Sequence, residues 1–527
     1  MPPPILSRRP TGIHSLPVEL LSRIFVLGAA FDYAYADSPF LLKPEQDYSP
    51  PPISNVQVIV SHVCHHWRQV ALRTPSLWTT LHFREAASIP RAEAYLARCS
   101  NSSTYLLDIL VDTVAVEDHT PGVTLYKDEV RAIFHIIIPH VKRWRAFHLK
   151  ICDNDCKGFA RQFLSACGPA PNLETLQLYH FENYGTTENL YIATYRPPVV
   201  IFSNTLPRLK NVSLIGVNLP WECSPYLRNL CNLELALHSD NIRPPYKWWS
   251  RMLRLSSELE TLCLHYSGPR KSTGDAALAW PSVDHIIHLP RVQELSFTDL
   301  DPDYLCNLLQ SLYLPSVRKV TLDLPDQEFS PVIELISGPT PACQDDSETK
   351  EFHIKPIPYL ANIKSLTIRA LECSENSWFW FLQALKGLRY LEVDSPSART
   401  KFWKAFTEDD HPGSSDTKSR ALLPRLEVLK IHGVPGEAIL SALRYRHLRG
   451  TLAPSGTERW IVSWTEEKRG CDMELDQLVD RGCWVSENGT SVLIETFNDE
   501  DDGDEEAEEE EEVSESSKEG DGSDGHP

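Results

Sequence analysis

Pro171-Asn172-Leu173-Glu174-Thr175-Leu176-Gln177-Leu178 is the phrase on which the fold turns. Its leucines occupy the first, fourth and sixth places of L-x-x-L-x-L. The same grammar returns as Pro207-Arg208-Leu209-Lys210-Asn211-Val212-Ser213-Leu214, Leu259-Glu260-Thr261-Leu262-Cys263-Leu264 and Pro424-Arg425-Leu426-Glu427-Val428-Leu429-Lys430-Ile431. Looser copies are Leu230-Leu233-Leu235, Val292-Leu295-Phe297, Val317-Val320-Leu322, Ile363-Leu366-Ile368 and Leu388-Leu391-Val393, with a degenerate opening copy at Trp144, Phe147 and Leu149. Their closing residues lie 21 to 46 positions apart. Self-similarity at such a period predicts a stack of supersecondary units that bury one shared core. In each unit a short strand sends alternate side chains inward, and the remaining residues return as helix or loop. Helical returns are expected over Tyr304–Leu312, over Trp378–Lys386 with a left-handed stop at Gly387, and over Glu437–Leu448.

This grammar resembles a leucine-rich repeat, which implies an arc whose inner strands carry a binding surface. The repeat's usual Asn or Cys, three places after the last leucine, is replaced by Phe181, Val217, Leu300, Leu371 and Val434. An irregular arc with apolar plugs at its turns is therefore expected. Trp78-Thr79-Thr80-Leu81-His82-Phe83 has the same spacing and Leu106–Val111 reads as a further strand, so the arc can begin early. Past Thr451 the grammar fades. Trp460-Ile461-Val462, a helix around Met473–Asp480 and Ser491–Glu495 are expected to form a terminal cap over 451–497, since an open end exposes core and strand edge.

Upstream, three phrases occur in fixed order: Leu16-Pro17-Val18-Glu19-Leu20-Leu21-Ser22-Arg23-Ile24-Phe25, Val63-Cys64-His65-His66-Trp67-Arg68-Gln69-Val70-Ala71, and Thr74-Pro75-Ser76-Leu77-Trp78. Pro17 and Glu19 suit the first turn of a helix. Leu20, Leu21, Ile24 and Phe25 read as one apolar stripe, and Val56 to Ala71 reads as a single second helix that stops near Arg73, before Pro75. Together the phrases resemble an F-box. The resemblance implies a docking module for a Skp-family adaptor and, through it, a cullin. It assigns Leu16, Pro17, Leu20, Leu21, Ile24, Phe25, Val63, Trp67 and Trp78 to adaptor binding or to the module's own core. Residues of about 29–54 form an insertion that Pro39, Pro44 and Pro50-Pro51-Pro52 keep from being helical throughout.

The expected class is α/β: a small all-α F-box module over 12–83, an irregular leucine-rich-repeat solenoid over 84–450, the cap, and a disordered acidic C-terminal tail over 498–527, with residues 1–11 also disordered. The net charge of −21 is concentrated in that tail, where sixteen acidic residues from Asp499 onward face one lysine. Such a run repels itself and has nothing to bury. It reads as a solvating tail, or as a lure for basic partners. No apolar run of the length that crosses a bilayer occurs and the first ten residues are no secretory signal, which points to cytoplasm or nucleus and to thirteen reduced cysteines.

No catalytic site, cofactor or metal is expected. The chain carries no P-loop, dinucleotide fingerprint, nucleophile elbow or His-Glu-x-x-His. His62, Cys64, His65 and His66 do not converge when placed on a helix, and Cys152, Cys156, Cys167 and His148 lack a second paired half. No nucleic-acid partner is expected of a body without a basic stripe. The first position after each strand supplies the expected target-binding row: Tyr179, His265, Asp323, Arg369, Asp394 and His432, together with Ile215 and Thr298. Carried over from the family, the function is that of a substrate-recognition subunit of a Skp-cullin-F-box ubiquitin ligase holding an unknown protein. The alternative is a non-catalytic leucine-rich-repeat scaffold acting outside ubiquitin transfer.

Overall fold

A computed structural model of the chain describes residues 16–31, 38–43, 55–99, 104–180, 197–270, 286–338, 359–394, 396–407, 422–431, 436–448, 457–463, 483–485 and 491–497, with Ile13 and Trp280. The expected disordered N-terminus and acidic tail, the helix near Met473, and Phe181, His432 and Val434 lie outside them. The protein is mixed α/β and divides into two compact units, Met1–Val317 and Arg318–Pro527.

The first unit opens with helices α1 (Val18–Phe31), α2 (Val56–Val63) and α3 (His65–Leu72). A 3-10 turn, Pro75–Trp78, leads into β1 (Thr80–Phe83). There follow α4 (Ser88–Cys99), β2 (Leu107–Asp112), α5 (Lys127–Ile137), β3 (Trp144–Ile151), α6 (Asn154–Ala166), β4 (Thr175–His180), β5 (Asn211–Ile215), β6 (Asn232–Ala236), α7 (Tyr246–Arg254), β7 (Thr261–His265), β8 (Ile287–His288), β9 (Glu294–Thr298), α8 (Pro302–Gln310) and β10 (Leu312–Tyr313). Strands β1 to β7 and β9 pair in sequence order, all parallel, while β8 and β10 form a separate two-stranded pair. Each copy of the leucine phrase thus adds one strand beside the last.

The register follows from the phrase. Leu176 pairs with Val212, then Leu233, Leu262 and Leu295, and all five are buried. Burying such side chains contributes about 1.5–3 kcal/mol each. Period-two alternation leaves Thr175, Gln177 and Tyr179 on the opposite face. At the strand ends, where no asparagine ladder was expected, main chain links the turns. Gly216, Leu237, Tyr266 and Asp299 each follow a strand with positive φ, between 44° and 62°. The amides of Gly216, Leu237 and Tyr266 donate to the carbonyls of Ala236, His265 and Thr298 on the next strand. Of the apolar plugs expected at the turns, Leu300 and Leu371 are buried. His238 also ties neighbouring turns. Its Nε2 lies 3.2 Å from the Val217 carbonyl and its Nδ1 2.8 Å from Ser267 Oγ.

The second unit contains β11 (Lys319–Glu328), α9 (Ser330–Ser337), β12 (Ser365–Glu372), α10 (Glu375–Ala384), β13 (Tyr390–Val393), α11 (Pro396–Thr407), β14 (Val428–Ile431), α12 (Gly436–Leu448), β15 (Thr457–Ser463), β16 (Cys483–Val485) and β17 (Ser491–Phe497). Its strands pair in parallel from β11 through β15 to β17, and β16 closes the end antiparallel to β17. The sheet therefore runs on through the part of 451–497 that is described. Here α12 and β15 share a buried ion pair, with Arg446 Nη2 3.2 Å from Glu458 Oε1. Arg446 also donates to the Leu422 carbonyl at 3.1 Å, and the Trp460 indole donates to Glu458 at 3.0 Å. These bonds offset the cost of burying both charges.

Two helices differ from expectation. The single helix over Val56–Ala71 is broken at Cys64, which is extended at φ −160° and accepts the Trp67 amide as the N-cap of α3. A thiol at that position starts a new helix because its side chain caps an amide that the previous turn leaves unpaired. Helix α10 ends at Ala384, short of Gly387, with Leu385 at φ −81° and no left-handed stop.

Gly216 and Gly168 both have positive φ, but a Cβ on Gly216 would lie 2.3 Å from the His180 carbonyl oxygen, whereas one on Gly168 meets nothing within 4 Å. By chemical denaturation, Gly168→Ala should cost about 1 kcal/mol from conformation alone. Gly216→Ala should cost at least ~2 kcal/mol, the excess coming from strand β4 being pushed aside. Equal costs would mean that the close approach contributes nothing.

Candidate binding surfaces

The helical module hides one stripe of α1 and leaves another in solvent. Leu21 and Phe25 are buried, and the Phe25 ring packs on Trp67 at 5.0 Å between centroids. Thr74 joins α1 to α3, bonding Ser22 Oγ at 3.1 Å and the Val70 carbonyl at 2.8 Å. The Trp78 indole donates to the Ala71 carbonyl at 3.0 Å. In contrast, Val18, Leu20, Ile24 and Leu27 of α1, with Ile59 and Val63 of α2, are 43–61% exposed. Leu20, Ile24 and Leu27 recur at i, i+4 and i+7, one residue step around the helix from Leu21 and Phe25. The single stripe read from the sequence is therefore two.

This divides the expected docking residues. Leu21, Phe25 and Trp78 belong to the module's own core, and Trp67 is half-buried against it. Pro17, Leu20, Ile24 and Val63 are exposed and Leu16 is half-exposed. His62, His65 and His66 are also exposed, on two different helices.

The second surface is the non-leucine face of the first unit's sheet, where parallel pairing aligns residues into rows. One row is His82, Leu110, His148, Gln177, Ser213 and Glu234. The next is Asp112, Lys150, Tyr179, Ile215, Ala236 and His265. Leu41 and Leu42, inside the insertion of the helical module, lie on these rows. The amides of Leu41 and Leu42 both donate to Gln177 Oε1, at 3.1 and 3.0 Å. Gln177 Nε2 donates back to the Leu42 carbonyl at 2.8 Å. Leu42 is buried among Leu110, Tyr179, Ile215 and Ala236.

Those backbone bonds fix the proton positions along the row. An oxygen that accepts from two amides must be the carbonyl end of Gln177, so His148 Nδ1, 2.9 Å from it, carries the hydrogen. The amide nitrogen then also donates to Ser213 Oγ at 3.2 Å, and the Ser213 hydroxyl donates to Glu234 Oε2 at 2.6 Å. Burial holds His148 neutral, with its pKa lowered to about 4, although the Gln177 bond and the Asp108 charge oppose the shift. Burial with the charges of His148, Arg84 and Arg91 lowers His82 to about 3. What the row can do chemically is hold a main chain by both its amides and its carbonyl.

Among the expected target-binding residues, Tyr179 is buried under Leu42 and its phenol is pushed up to about 12 by burial. His265 shares its row but is half-buried. In the second unit, Arg369 and Asp394 are exposed and Asp323 is half-buried. Asp323 pairs with Ala370 across a register shift, so Arg369 is the extra residue of a bulge. Within the first unit the structure brings Tyr179 and His265 onto one surface. Sequence reasoning missed His148, Gln177, Ser213 and Glu234. Their signal was available, because they occupy the place between the last two leucines of each copy.

Elsewhere, Cys152 Sγ lies 3.1 Å from the Thr113 carbonyl, and burial pushes the Cys152 and Cys167 thiols up to about 11 and Cys156 higher still. Among the described residues no three His, Cys, Asp or Glu side chains gather as metal ligands, and no helix is long and apolar enough to cross a membrane. Comparison of the chain with protein-family models and with curated proteins returned no match.

A histidine kept neutral in the folded state makes stability fall with acid. Its contribution is complete above the ordinary value of 6.5 and is lost as the pH drops toward about 4, because only the unfolded chain takes up the proton freely. In His148→Asn, which keeps an N–H donor, the unfolding free energy should fall less steeply over that window, by up to ~1.4 kcal/mol per pH unit. Parallel slopes for variant and wild type would disconnect the ring from acid sensitivity.

Proposed function

We propose that this chain is the substrate-recognition subunit of a Skp-cullin-F-box type ubiquitin ligase, without catalysis of its own. Its helical module would act as the F-box and its leucine-spaced strands as an irregular repeat solenoid that holds a protein target. The observation that carries the reading is the apolar surface of α1 and α2, where Val18, Leu20, Ile24, Leu27, Ile59 and Val63 stay in water although a buried stripe lies beside them. A contiguous apolar patch on a small module marks a protein interface, and these residues fall within or beside the phrases that resemble an F-box. The charged residues of α1, α2 and α3 are Glu19 against Arg23 and Arg68, so an adaptor with an acidic rim would be steered toward them. The repeats continue directly from the module through β1, as a delivery scaffold requires.

The test separates docking from folding. Leu20→Glu with Ile24→Glu changes exposed positions and should weaken capture of a Skp-type adaptor about a hundred-fold while the melting temperature holds. Leu21→Ala, by contrast, should destabilise the module by about 2–5 kcal/mol. Undiminished capture by the double variant would remove the claim. Cullin in the same pull-down distinguishes a ligase subunit from a scaffold acting outside ubiquitin transfer.

A further inference from the structure

The insertion between α1 and α2 contributes Ser38-Pro39-Phe40-Leu41-Leu42-Lys43 to a surface far away in sequence. Three features make the contact resemble a bound peptide. Phe40 and Leu42 are both buried, while Leu41 between them is half-exposed. The side chain of Leu42 enters an apolar pocket made of Leu110, Tyr179, Ile215 and Ala236 from four different strands. Gln177 reads main chain on both sides of one residue, accepting the Leu42 amide and donating to the Leu42 carbonyl.

We propose that the non-leucine face over β2 to β6 is a binding groove for a peptide that buries one apolar side chain where Gln177 reads its main chain, and that residues 38–43 are its tethered occupant. Gln177 recognises backbone, which every peptide has, so an incoming segment can reproduce its bonds. Leaving the groove empty would cost Gln177 its three main-chain bonds to Leu41 and Leu42, so exchange between occupants is favoured over simple opening. Tethering gives the internal segment a high effective concentration, which sets a threshold that a target must exceed. This inference rests on the sheet being a recognition surface, as in the proposed function, and not on adaptor docking. The experiment contains no adaptor, so the two ideas fail separately.

The probe is a labelled, end-capped hexapeptide with the sequence of residues 38–43, added to the full-length protein. Freeing the groove by Phe40→Ser with Leu42→Ser should let the peptide bind at least about ten-fold more tightly than it binds wild type. Adding Gln177→Leu should abolish that gain. If the double variant melts like wild type and gains no affinity, or if the gain survives Gln177→Leu, the groove is refuted. Hydrogen exchange on the wild-type chain covers the case in which the variants do not fold. The amides of Leu41 and Leu42 should exchange at least about ten-fold faster than those of Leu176 and Leu178 in β4. Equal rates would make residues 38–43 a fixed part of the core and overturn the proposal.

Discussion

In-register parallel pairing is the constraint from which the rest of the structure follows. Once Leu176 stands beside Val212 and Val212 beside Leu233, every residue between leucines is assigned to the opposite face and to a definite row. A slip of one residue in any strand would send its leucines into the polar row and its polar residues into the core. The apolar core thus specifies more than stability. It lines up His148, Gln177, Ser213 and Glu234 within hydrogen-bond reach, although 29, 36 and 21 residues separate successive partners.

A buried polar row is costly unless each member is satisfied. Here the leucine phrase supplies acceptors and donors from four strands, and a segment outside the sheet supplies the remainder. The Leu41 and Leu42 amides on one side and Ser213, committed to Glu234, on the other orient Gln177, and with it the tautomer of His148. The turns solve a similar problem differently, using left-handed main chain at Leu237 and Tyr266 in place of asparagine side chains. That conformation costs a non-glycine residue roughly 1–2 kcal/mol, which the bond to the next strand helps to offset.

Strand positions were legible in the sequence because a burial pattern with period two repeats in each copy. Even the degenerate Trp144, Phe147 and Leu149 appear where the grammar places them, as did the strands at Thr80 and Leu107. Helix faces were read less well. Leu20, Leu21, Ile24 and Phe25 look like one stripe because neighbouring residues differ by only 100° around a helix, and a pattern of apolar letters cannot say which of two adjacent stripes meets protein. The break at Cys64 was hidden for another reason: every residue around it suits a helix, and the interruption depends on a thiol capping an amide. The long-range contact of residues 38–43 left no local trace at all. Proline content said only that the segment is not helical.

The same segment joins two surfaces that would otherwise be independent. It is bounded by α1 and α2, whose exposed residues form the apolar patch of the helical module, and its middle is bonded to β4. A ligand that occupies the proposed groove would have to release this middle, because Gln177 Oε1 and Nε2 already hold the Leu42 amide and carbonyl.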